Sequence, residues 1–359
     1  MAKKAIIAMS GGVDSSVSAY LMKRDGYECI GATMKLYDNE DIGEKKTNTC
    51  CSLDDVADAR SVAQRLDMPY YVFNFTDRFR GEVIDRFIAA YEAGHTPNPC
   101  IDCNRYMKFD KLYRRMQELE ADYIVTGHYV RTARGENGRY LLKKAVDESK
   151  DQSYVLYMLT QEQLAHAIFP LGGLEKTEVR KIAEENGFIN AHKHDSQDIC
   201  FVPDGCYAAF IERMTGKTYP DGDFIDTAGR VLGRHKGIIN YTIGQRKGLG
   251  ISADRPLYVC NIDTVGNTVT LGDNADLMRD ELIADNVNLI SVDKIETPMR
   301  VKAKIRYNQK EQPATAWQES DGRLHIKFDL PQRAITLGQA AVLYDGENVV
   351  GGGTIAEIL

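Results

Sequence analysis

The segment Ser10-Gly11-Gly12-Val13-Asp14-Ser15-Ser16 decides the fold, because it joins a short apolar run to a stretch with helical spacing. The apolar run is Ala5-Ile6-Ile7-Ala8-Met9, and Val17 and Leu21 follow the segment four residues apart. Glycines at the end of a strand let the backbone approach an oxyanion closely, and the N–H groups of the next helix point toward that anion. The sequence therefore predicts a strand, a phosphate-binding loop and a helix at the start of the chain.

This loop contains no lysine, so it is not the G-x-x-x-x-G-K-[ST] phosphate loop. It resembles the pyrophosphate loop of ATP-pyrophosphatase enzymes, which split ATP between its α and β phosphates and activate their substrate as an adenylate. The resemblance implies ATP as the nucleotide and Asp14 as a ligand of Mg²⁺, a hard cation that suits a carboxylate. A tight Gly-Gly turn is the alternative, but the segment combines three phosphate-binding devices.

Length and composition are typical of a soluble protein with two or three domains. The chain has 359 residues, enough for a sizeable core. The apolar run after Lys3 and Lys4 is shorter than the ~7–15 residues of a signal peptide, and no run approaches the ~18 of a membrane span. We therefore expect a cytoplasmic protein with no membrane partner. A net charge of −7 argues weakly against a general nucleic-acid coat, so an RNA-binding surface would be local.

Apolar runs alternate with helical patterns up to about residue 200, as expected of parallel βαβ units. The sequence thus predicts an α/β fold with a doubly wound parallel sheet. The predicted elements are the strands Ala5–Met9, Glu28–Met34, Tyr70–Phe75 and Tyr123–Thr126 and the helices Ser16–Arg24, Asp54–Leu66, Phe79–Ala93 and Lys108–Leu119.

Ligands of such sheets bind beyond the carboxyl ends of the strands. The Ser10–Ser16 loop, Met34 and the turn Thr126-Gly127-His128 all lie at such ends. We expect Met34 to lie against an adenine ring and Gly127 to let a ribose or phosphate approach. A strand-end core residue and an ordinary turn glycine explain the pattern equally well.

The sequence pattern changes after about residue 205, where predicted helices become scarce and short turns become frequent. From about residue 275 onward, alternating segments predict a small β-barrel, most clearly in Met299–Tyr307. We therefore expect a catalytic domain over 1–205, a small central domain over 206–274 and a barrel domain over 275–359.

Two rows of basic residues are candidates for binding phosphate backbones. The even-numbered residues from Arg300 to Arg306 share one face of the predicted barrel strand, opposite Met299, Val301, Ala303, Ile305 and Tyr307. A solvated strand face explains this first row as well, so both interpretations stay open. The second row has spacings of three and four and consists of Arg105, Lys108, Lys111 and Arg115.

The segment Thr96–Asn104 contains two prolines followed by a C-x-x-C pair, Cys100 and Cys103, and is predicted as a stiff loop. Spaced cysteines in a reducing compartment indicate metal or redox chemistry more often than structural disulfides. The spacing alone leaves iron, zinc and thiol–disulfide exchange open. Cys200 is the natural third sulfur and Cys50-Cys51 a weaker candidate. The remaining cysteines, predicted to be small hydrophobic residues, are Cys29, Cys206 and Cys260.

Motifs along nearly the whole chain resemble those of the tRNA-specific 2-thiouridylases, which replace the C2 oxygen of the wobble uridine (position 34) by sulfur in certain tRNAs. The resemblance implies an adenine-nucleotide α-hydrolase-like catalytic domain, a small central domain and a C-terminal β-barrel that helps hold the anticodon arm. The segments that carry it are Ala8–Ser16, Thr96–Asn104, Thr126–Tyr129, Lys150–Tyr154, Ser196–Phe201, Gly244–Gly250, Arg306-Tyr307 and Gly338-Gln339.

The same resemblance implies the residues of the site. The residues expected to bind ATP are Ala8, Met9, Ser10, Gly11, Gly12, Val13, Asp14, Ser15, Met34 and Gly127. A flipped-out uridine needs a pocket that reads its edge, and a stiff loop beside the nucleotide could provide one. The residues expected to contact tRNA are Asn98, Pro99, Cys100, His128, Lys150, Asp151, Gln152, Arg306, Tyr307 and Gln339.

In the family's usual account, Cys200 carries a persulfide, Cys103 assists sulfur release and finally forms a disulfide with it, and an aspartate three residues before Cys103 acts as general base. This chain has Cys100 at the position of that aspartate. We therefore favour a site in which the three cysteines hold a [4Fe–4S] cluster with one iron open to hydrosulfide. A zinc site would need a fourth ligand. The persulfide relay remains the alternative, with Asp102 as a candidate base and a sulfur donor protein in place of inorganic sulfide.

Two interpretations outside tRNA thiolation remain. One is another ATP-pyrophosphatase-type ligase, either amide-forming or lysidine-forming on tRNA, in which the three spaced cysteines would have no function. The other is a non-catalytic nucleic-acid or redox module, which the ATP loop argues against.

Overall fold

The computed structural model describes residues 2–38, 53–193 and 199–359. Cys50, Cys51 and residues 194–198, which include part of the predicted Ser196–Phe201 motif, lie outside the described residues. No described helix is long and apolar enough to cross a membrane.

The first part of the chain alternates strands and helices. Its elements are β1 (Lys4–Ala8), α1 (Val13–Arg24), β2 (Glu28–Lys35), α2 (Leu53–Arg65), β3 (Tyr70–Asn74), α3 (Thr76–Phe79), the π-helical stretch Arg80–Ile84, α4 (Asp85–Glu92), α5 (Pro99–Asp102), the π-helical stretch Cys103–Leu112, α6 (Tyr113–Glu118), β4 (Tyr123–Val125), β5 (Val130–Arg134), β6 (Tyr140–Lys144), a 3₁₀ turn Ser153–Leu156, α7 (Gln161–Ala165), β7 (Ala167–Ile168) and α8 (Lys176–Glu185).

Five of these strands form a parallel sheet in the order β3-β2-β1-β4-β7. Ile6 and Ile7 are neighbours in β1 and therefore point to opposite faces, yet both are fully buried, each in a different hydrophobic cluster. A strand buried on both faces requires helices on both sides of the sheet. The predicted doubly wound α/β fold is thus confirmed, although the short strand β7 was not predicted.

The segment Thr96–Asn104, predicted as a loop, is helical from Pro99 onward. The Asn98 side chain accepts the Cys100 N–H at 3.1 Å, which caps the helix. Proline is favoured at the first helical position because an N–H there would have no acceptor within the helix. The loop prediction was wrong because proline was interpreted only as a stiffener. Cys100 and Cys103 therefore lie in the first turns of a helix.

The middle and the end of the chain are mostly antiparallel strands. The middle elements are α9 (Tyr207–Thr215), β8 (Gly222–Asp226), β9 (Val231–His235), a 3₁₀ turn Ile238–Asn240, β10 (Tyr258–Asp263) and β11 (Thr268–Gly272), and the later ones are a 3₁₀ turn Ala275–Leu277, β12 (Met278–Leu289), β13 (Met299–Lys304), β14 (Gln312–Gln318), β15 (Leu324–Arg333), β16 (Ala340–Asp345) and β17 (Asn348–Ile358).

The predicted barrel is confirmed: β12 pairs with both β15 and β17, which closes a ring of six strands in the order β12-β15-β14-β13-β16-β17. Along β13 the buried Val301 and Ala303 alternate with the exposed Arg300 and Lys302, as the sequence predicted. Tyr307, predicted to share the strand face of Val301 and Ala303, lies beyond the end of β13 at Lys304 and is 37% exposed.

The barrel is joined to the first sheet domain in two ways. The hairpin β5–β6 pairs with β17 through Lys143 and Asn348. Gly338, with φ of +84°, packs against His95, because a Cβ atom on it would lie 3.1 Å from the His95 Cβ. The Thr96 N–H donates to the Leu337 carbonyl at 3.0 Å. These contacts place the barrel next to the residues that precede Pro99–Asp102 and Cys103–Leu112, the two helical stretches that together form the cysteine helix.

Candidate nucleotide and sulfur-transfer site

The Ser10–Ser16 loop leaves β1 and enters α1, whose N-cap is Gly12. Gly11 has φ of +75°, and a Cβ atom on it would lie 2.4 Å from the Asp55 carbonyl oxygen, so only glycine fits. The Ser15 hydroxyl donates to the Gly12 carbonyl at 3.0 Å and accepts the Ser10 N–H at 3.2 Å. The Ser15 hydroxyl thus holds the loop closed at the N-terminus of α1. The positive end of the helix dipole favours an anion at this place.

Gly127 packs directly on the start of α1. A Cβ atom on it would lie 3.0 Å from the Asp14 carbonyl carbon and 3.0 Å from the Ser15 nitrogen. The missing side chain therefore lets the carboxyl end of β4 approach the loop. The contact of Gly127 with ATP stays a prediction. Its packing on α1 is by itself a structural reason for a glycine at this position.

Asp14 is held by two side chains. Lys176 Nζ lies 2.7 Å from Oδ1 and 2.9 Å from Oδ2, and the Tyr129 hydroxyl donates to Oδ1 at 2.7 Å. Lys176 is the first residue of α8 and is only 8% exposed. The lysine that the loop sequence lacks is therefore supplied by a distant helix.

A second set of side chains supports the loop from its other side. Asn190 is 2% exposed and donates to the Gly11 carbonyl and to the Ser16 hydroxyl, both at 2.9 Å. Lys193 Nζ lies 2.6 Å from Asp55 Oδ1 and 2.8 Å from an Asp58 carboxylate oxygen. These contacts fix the strained backbone at Gly11.

Sequence reasoning missed Lys176, Asn190 and Lys193, because none of them lies in a recognisable motif. A signal existed for Lys176. It follows Glu175, which forms a capping box with Glu178, a pattern that marks the start of a helix. In an open α/β sheet a helix start after a strand lies at the ligand-binding edge.

The apolar residues assigned to ATP are largely core. Met9 and Val13 are 2% and 3% exposed, so only their backbone groups could reach a nucleotide. Ala8 and Met34 are half-buried and pack against the cluster on one face of the sheet. Met34 is thus the one apolar side chain of this set that could lie against an adenine ring.

His128 is buried beside the loop, next in sequence to Gly127. Its Nε2 lies 3.3 Å from Lys108 Nζ and its Nδ1 lies 2.7 Å from Thr126 Oγ1. Burial, and secondarily the charge of Lys108, lower the pKa of His128 well below its usual value. The imidazole is therefore neutral, and its predicted contact with tRNA stays a prediction.

Cys103 and Cys200 pack against the same hydrophobic cluster, which contains Phe201 and Met107. The backbone carbonyl of Cys200 accepts a hydrogen bond from the Tyr37 hydroxyl at 3.0 Å. The structure thus brings two of the three predicted cysteines to one cluster, while Cys100 is exposed.

The described residues contain no group of three His, Cys, Asp or Glu side chains arranged to hold a metal ion. The [4Fe–4S] cluster on Cys100, Cys103 and Cys200 therefore stays a prediction. The candidate base Asp102 is turned toward Arg86, whose Nε lies 3.5 Å from a carboxylate oxygen. Burial raises the pKa of Asp102, although Arg86 and Arg105 act in the opposite direction.

Three of the residues predicted to contact tRNA lie together. The Tyr307 hydroxyl donates to the Asp151 carbonyl at 3.3 Å. Burial, followed by the charges of Asp151 and Cys100, raises the pKa of Tyr307, so all three residues are near one another. The segment that follows β13 therefore lies near the start of the cysteine helix.

The segment Lys150–Gln152 is fastened to the nucleotide side of the site. Gln152 exchanges hydrogen bonds with the backbone of Tyr129, through its N–H at 3.1 Å and its side-chain oxygen at 3.0 Å. Asp151 accepts the Ala145 N–H at 3.0 Å and the Ser153 hydroxyl at 2.7 Å. Both side chains thus have structural partners.

Arg306 connects the middle of the chain to the barrel. Its Nη2 donates to the Ala334 carbonyl at 2.8 Å, the Thr336 hydroxyl at 3.0 Å and the Ile243 carbonyl at 3.4 Å. Gln339 is half-buried and follows Gly338, which packs on His95. The Arg306 guanidinium therefore has structural hydrogen-bond partners. Gln339 lies near the cysteine helix.

Three family models match successive parts of the chain. They are described as tRNA methyl transferase HUP domain over residues 3–204, tRNA methyl transferase PRC-barrel domain over 208–273 and aminomethyltransferase beta-barrel domain over 279–355. A solved 4-thiouridine synthetase–RNA complex with bound ATP covers 56% of this chain and 45% of its own, with a TM-score of 0.39 and 21% identity.

Curated relatives match the whole chain. The tRNA-specific 2-thiouridylase MnmA of Clostridioides difficile (strain 630) is 52% identical, over 100% of this chain and 99% of the relative. The tRNA-specific 2-thiouridylase MnmA 1 of Thermoanaerobacter sp. (strain X514) is 55% identical, over 98% of this chain and 97% of the relative. The family models are named for methyl transfer, whereas these relatives are named for thiolation. Identity of this degree along the full length shows that the chain belongs to the family of tRNA-specific 2-thiouridylases.

Proposed function

We propose that the protein is a transferase that thiolates C2 of the wobble uridine of tRNA in an ATP-dependent reaction. One observation carries the proposal: an unbroken path of contacts joins the nucleotide loop to the cysteine helix. Gly127 packs on Asp14, its neighbour His128 contacts Lys108, and Lys108 lies in the helical stretch that begins at Cys103. Activation and sulfur delivery can therefore act on one base.

In the first step the uridine C2 oxygen attacks the α-phosphorus of ATP. The O2–P bond forms, the bond between the α-phosphorus and the bridging oxygen breaks, pyrophosphate leaves and the N3 proton passes to solvent. The positive end of α1 and Lys176 supply charge for the phosphates. Mg²⁺ is usually held by one or two carboxylates together with substrate phosphates, and Asp14 fits that role if Lys176 turns from Asp14 to the pyrophosphate.

In the second step a sulfur nucleophile attacks C2 of the adenylated base. The C2–S bond forms, the C2–O bond breaks and AMP leaves. With a persulfide on Cys200, the terminal sulfur becomes bonded to C2 and Cys103 then attacks the Cys200 sulfur. The persulfide S–S bond breaks, the thiocarbonyl is released and a Cys103–Cys200 disulfide remains, which an external dithiol reduces.

The common position of Cys103 and Cys200 on one hydrophobic cluster supports this relay. The [4Fe–4S] hypothesis on Cys100, Cys103 and Cys200 keeps a distinct prediction, namely that thiolation from inorganic sulfide requires bound iron.

The position of the barrel supports tRNA as the substrate. Tyr307, Asp151 and Cys100 lie together, and Gly338 places Gln339 near the residues before Asn98. A uridine turned out of the anticodon loop could enter between the barrel and the start of the cysteine helix, since such enzymes extrude their target base.

The deciding experiment is anaerobic thiouridine formation from ATP, unmodified tRNA and inorganic sulfide, with cluster-reconstituted and iron-free protein compared. Thiolation only in the reconstituted sample would establish the cluster route. Equal thiolation by iron-free protein with a persulfide donor would establish the relay. ATP cleavage with a free amine as acceptor, and no sulfur in RNA, would overturn the proposal in favour of another pyrophosphatase-type ligase.

A further inference from the structure

The Lys108 ammonium is held beside the nucleotide loop by a histidine. Lys108 is half-buried, and its Nζ lies 3.3 Å from His128 Nε2. An ammonium has only donors, so Nε2 must be the acceptor. The proton of the neutral ring is then on Nδ1, which donates to Thr126 Oγ1 at 2.7 Å. His128 and Thr126 together fix the direction of the lysine.

This contact leaves the charge of Lys108 unneutralised. Within residues 2–38, 53–193 and 199–359, no carboxylate lies within ion-pair distance of Lys108. Nearby in the same helix, Lys111 lies 3.0 Å from the Asp110 carboxylate. A partly buried cation without a counter-ion is costly, and a neutral imidazole orients it without reducing its charge. The arrangement suits a cation that awaits an anionic ligand.

The place of Lys108 indicates which anion this is. His128 follows Gly127, which packs on the backbone of Asp14 and Ser15 at the positive end of α1. Lys108 also lies five residues after Cys103, in the same helical stretch. The ammonium is therefore linked to the phosphate loop through His128 and Gly127, and to the sulfur-transfer cysteine through its own helix.

We propose that Lys108 binds an oxygen of the α-phosphate of ATP, and of the adenylate formed from it, and that His128 is its positioning residue. This inference rests on the proposed function and deepens it. Attack of the uridine oxygen on the α-phosphorus concentrates negative charge on the nonbridging oxygens in the transition state. A fixed ammonium stabilises that charge more than it stabilises bound ATP, because no reorganisation is needed.

The test replaces Lys108 by alanine and by arginine, with Arg114→Ala as the matched control, because Arg114 lies in the adjoining helix α6 and its side chain is 65% exposed. Initial rates of tRNA-dependent pyrophosphate release are measured at saturating ATP and tRNA. We expect kcat to fall by about 100-fold or more in Lys108→Ala, as for other single oxyanion donors, with a much smaller change in the KM for ATP. Lys108→Arg is expected to recover part of the rate.

Two further readouts separate this role from a merely structural one. Added primary alkylamines should restore pyrophosphate release by Lys108→Ala in proportion to their concentration, and should not affect Arg114→Ala. His128→Gln, whose side-chain oxygen can still accept from Lys108, should retain more activity than His128→Ala. Thermal unfolding identifies any variant that is not folded. For a folded variant, amine rescue distinguishes a direct role of the ammonium from a structural role.

A rate for Lys108→Ala equal to that of the wild type would overturn the inference. So would an unchanged kcat with weakened tRNA binding and a reduced salt dependence, because Lys108 would then contact an RNA phosphate. Failure of the proposed function itself would be distinguishable, because the wild-type protein would then put no sulfur into tRNA.

Discussion

Lys176 Nζ lies 2.7 Å from Asp14 Oδ1, although the two residues are 162 positions apart in the chain. A phosphate loop without its own lysine thus obtains a cation from the first residue of α8. Asp14 holds this ammonium directly, and the Tyr129 hydroxyl donates to the same carboxylate. The carboxylate thus compensates the charge of a nearly buried ammonium.

Replacing Lys176 by methionine removes this cation and preserves most of the side-chain volume. We expect tRNA-dependent pyrophosphate release to fall by about 100-fold, because the leaving group loses a charge-assisted contact. Lys181→Met is the control on the same helix, since Lys181 is 75% exposed in its side chain and lies 3.8 Å from Glu185. Equal rates for Lys176→Met and the control would show that Lys176 serves only to hold Asp14.

Gly127→Ala tests the contact between β4 and the loop. The new methyl group would lie 3.0 Å from the backbone of Asp14 and Ser15, so the loop must shift. We expect the KM for ATP to rise and the free energy of unfolding to fall by about 1–3 kcal/mol, as for other overpacked sites. Gly173→Ala, where a Cβ meets nothing within 4 Å, should leave ATP binding unchanged. Normal ATP binding by Gly127→Ala would contradict the role of this close approach.

The two clustered cysteines should separate activation from sulfur transfer. In Cys103→Ser and in Cys200→Ser we expect thiouridine formation to be lost while tRNA-dependent pyrophosphate release continues, because neither thiol acts in the first step. Cys206→Ser is the control at an exposed thiol outside this pair and should behave as the wild type. Loss of pyrophosphate release in Cys103→Ser would place that thiol in the activation step. Cys100→Ser should abolish thiolation only if the three cysteines hold a cluster.

Much of the fold was predictable because its signals are local. The strand before Ser10, the helix after it and the alternation along Met299–Lys304 follow from periodicity, and the structure has all three. The β5–β6 hairpin was not predicted to join the barrel. Its pairing with β17 depends on a contact between Lys143 and Asn348, and nothing in the local pattern marks such a distant partner.

The candidate site was predictable only in part, for a similar reason. The glycines and Asp14 lie in one motif, whereas Lys176 and Asn190 reach the loop from distant helices and loops. Resemblance assigned His128 to tRNA, but it could not reveal the buried ring or its lysine partner. Sequence patterns thus identify the backbone of the site better than the side chains that complete it.

The basic face of β13 should contact RNA through Lys302 rather than Arg300. Arg300 is paired with both carboxylate oxygens of Asp329, at 2.8 and 2.7 Å, whereas Lys302 is exposed and has no carboxylate partner among the described residues. We expect Lys302→Ala to weaken tRNA binding and to reduce the slope of log affinity against log salt by about 0.7–0.9. Arg300→Ala should change the slope less. An unchanged slope in Lys302→Ala, measured by filter binding, would remove this face from the interface.

Arg306 was predicted to contact tRNA, but its contacts indicate a second consequence. It donates to Ala334, Thr336 and Ile243, so Arg306→Ala removes three contacts and leaves only the 2.9 Å hydrogen bond from the Thr336 hydroxyl to the Ala334 carbonyl at this place. We expect the free energy of unfolding to fall by about 1–3 kcal/mol, in addition to any loss of tRNA affinity. A variant that loses tRNA affinity with unchanged stability would show that the RNA contact is the main role.

His235 should make the protein less stable in mild acid. The side chain is fully buried between Phe224 and Tyr241, and burial lowers its pKa, although its bond to the Asn267 carbonyl raises it. The unfolded chain takes up a proton near the ordinary pKa of about 6.5, while the folded protein takes it up only at lower pH. Since the unfolded state then binds more protons, the free energy of unfolding falls as the pH drops below that value, by up to about 1.4 kcal/mol per pH unit.

His235→Gln removes this titration and can still donate to the Asn267 carbonyl, so it should flatten the loss of stability between about pH 7.5 and pH 5.5. The measurement is the unfolding midpoint of wild type and variant across that range, and comparing slopes cancels the contributions of other groups. His192→Gln, at a side chain that is 85% exposed, serves as the control. If the variant lost stability as steeply as the wild type, acid sensitivity would have to come from other buried groups, and His128 would be the next to test because burial lowers its pKa as well.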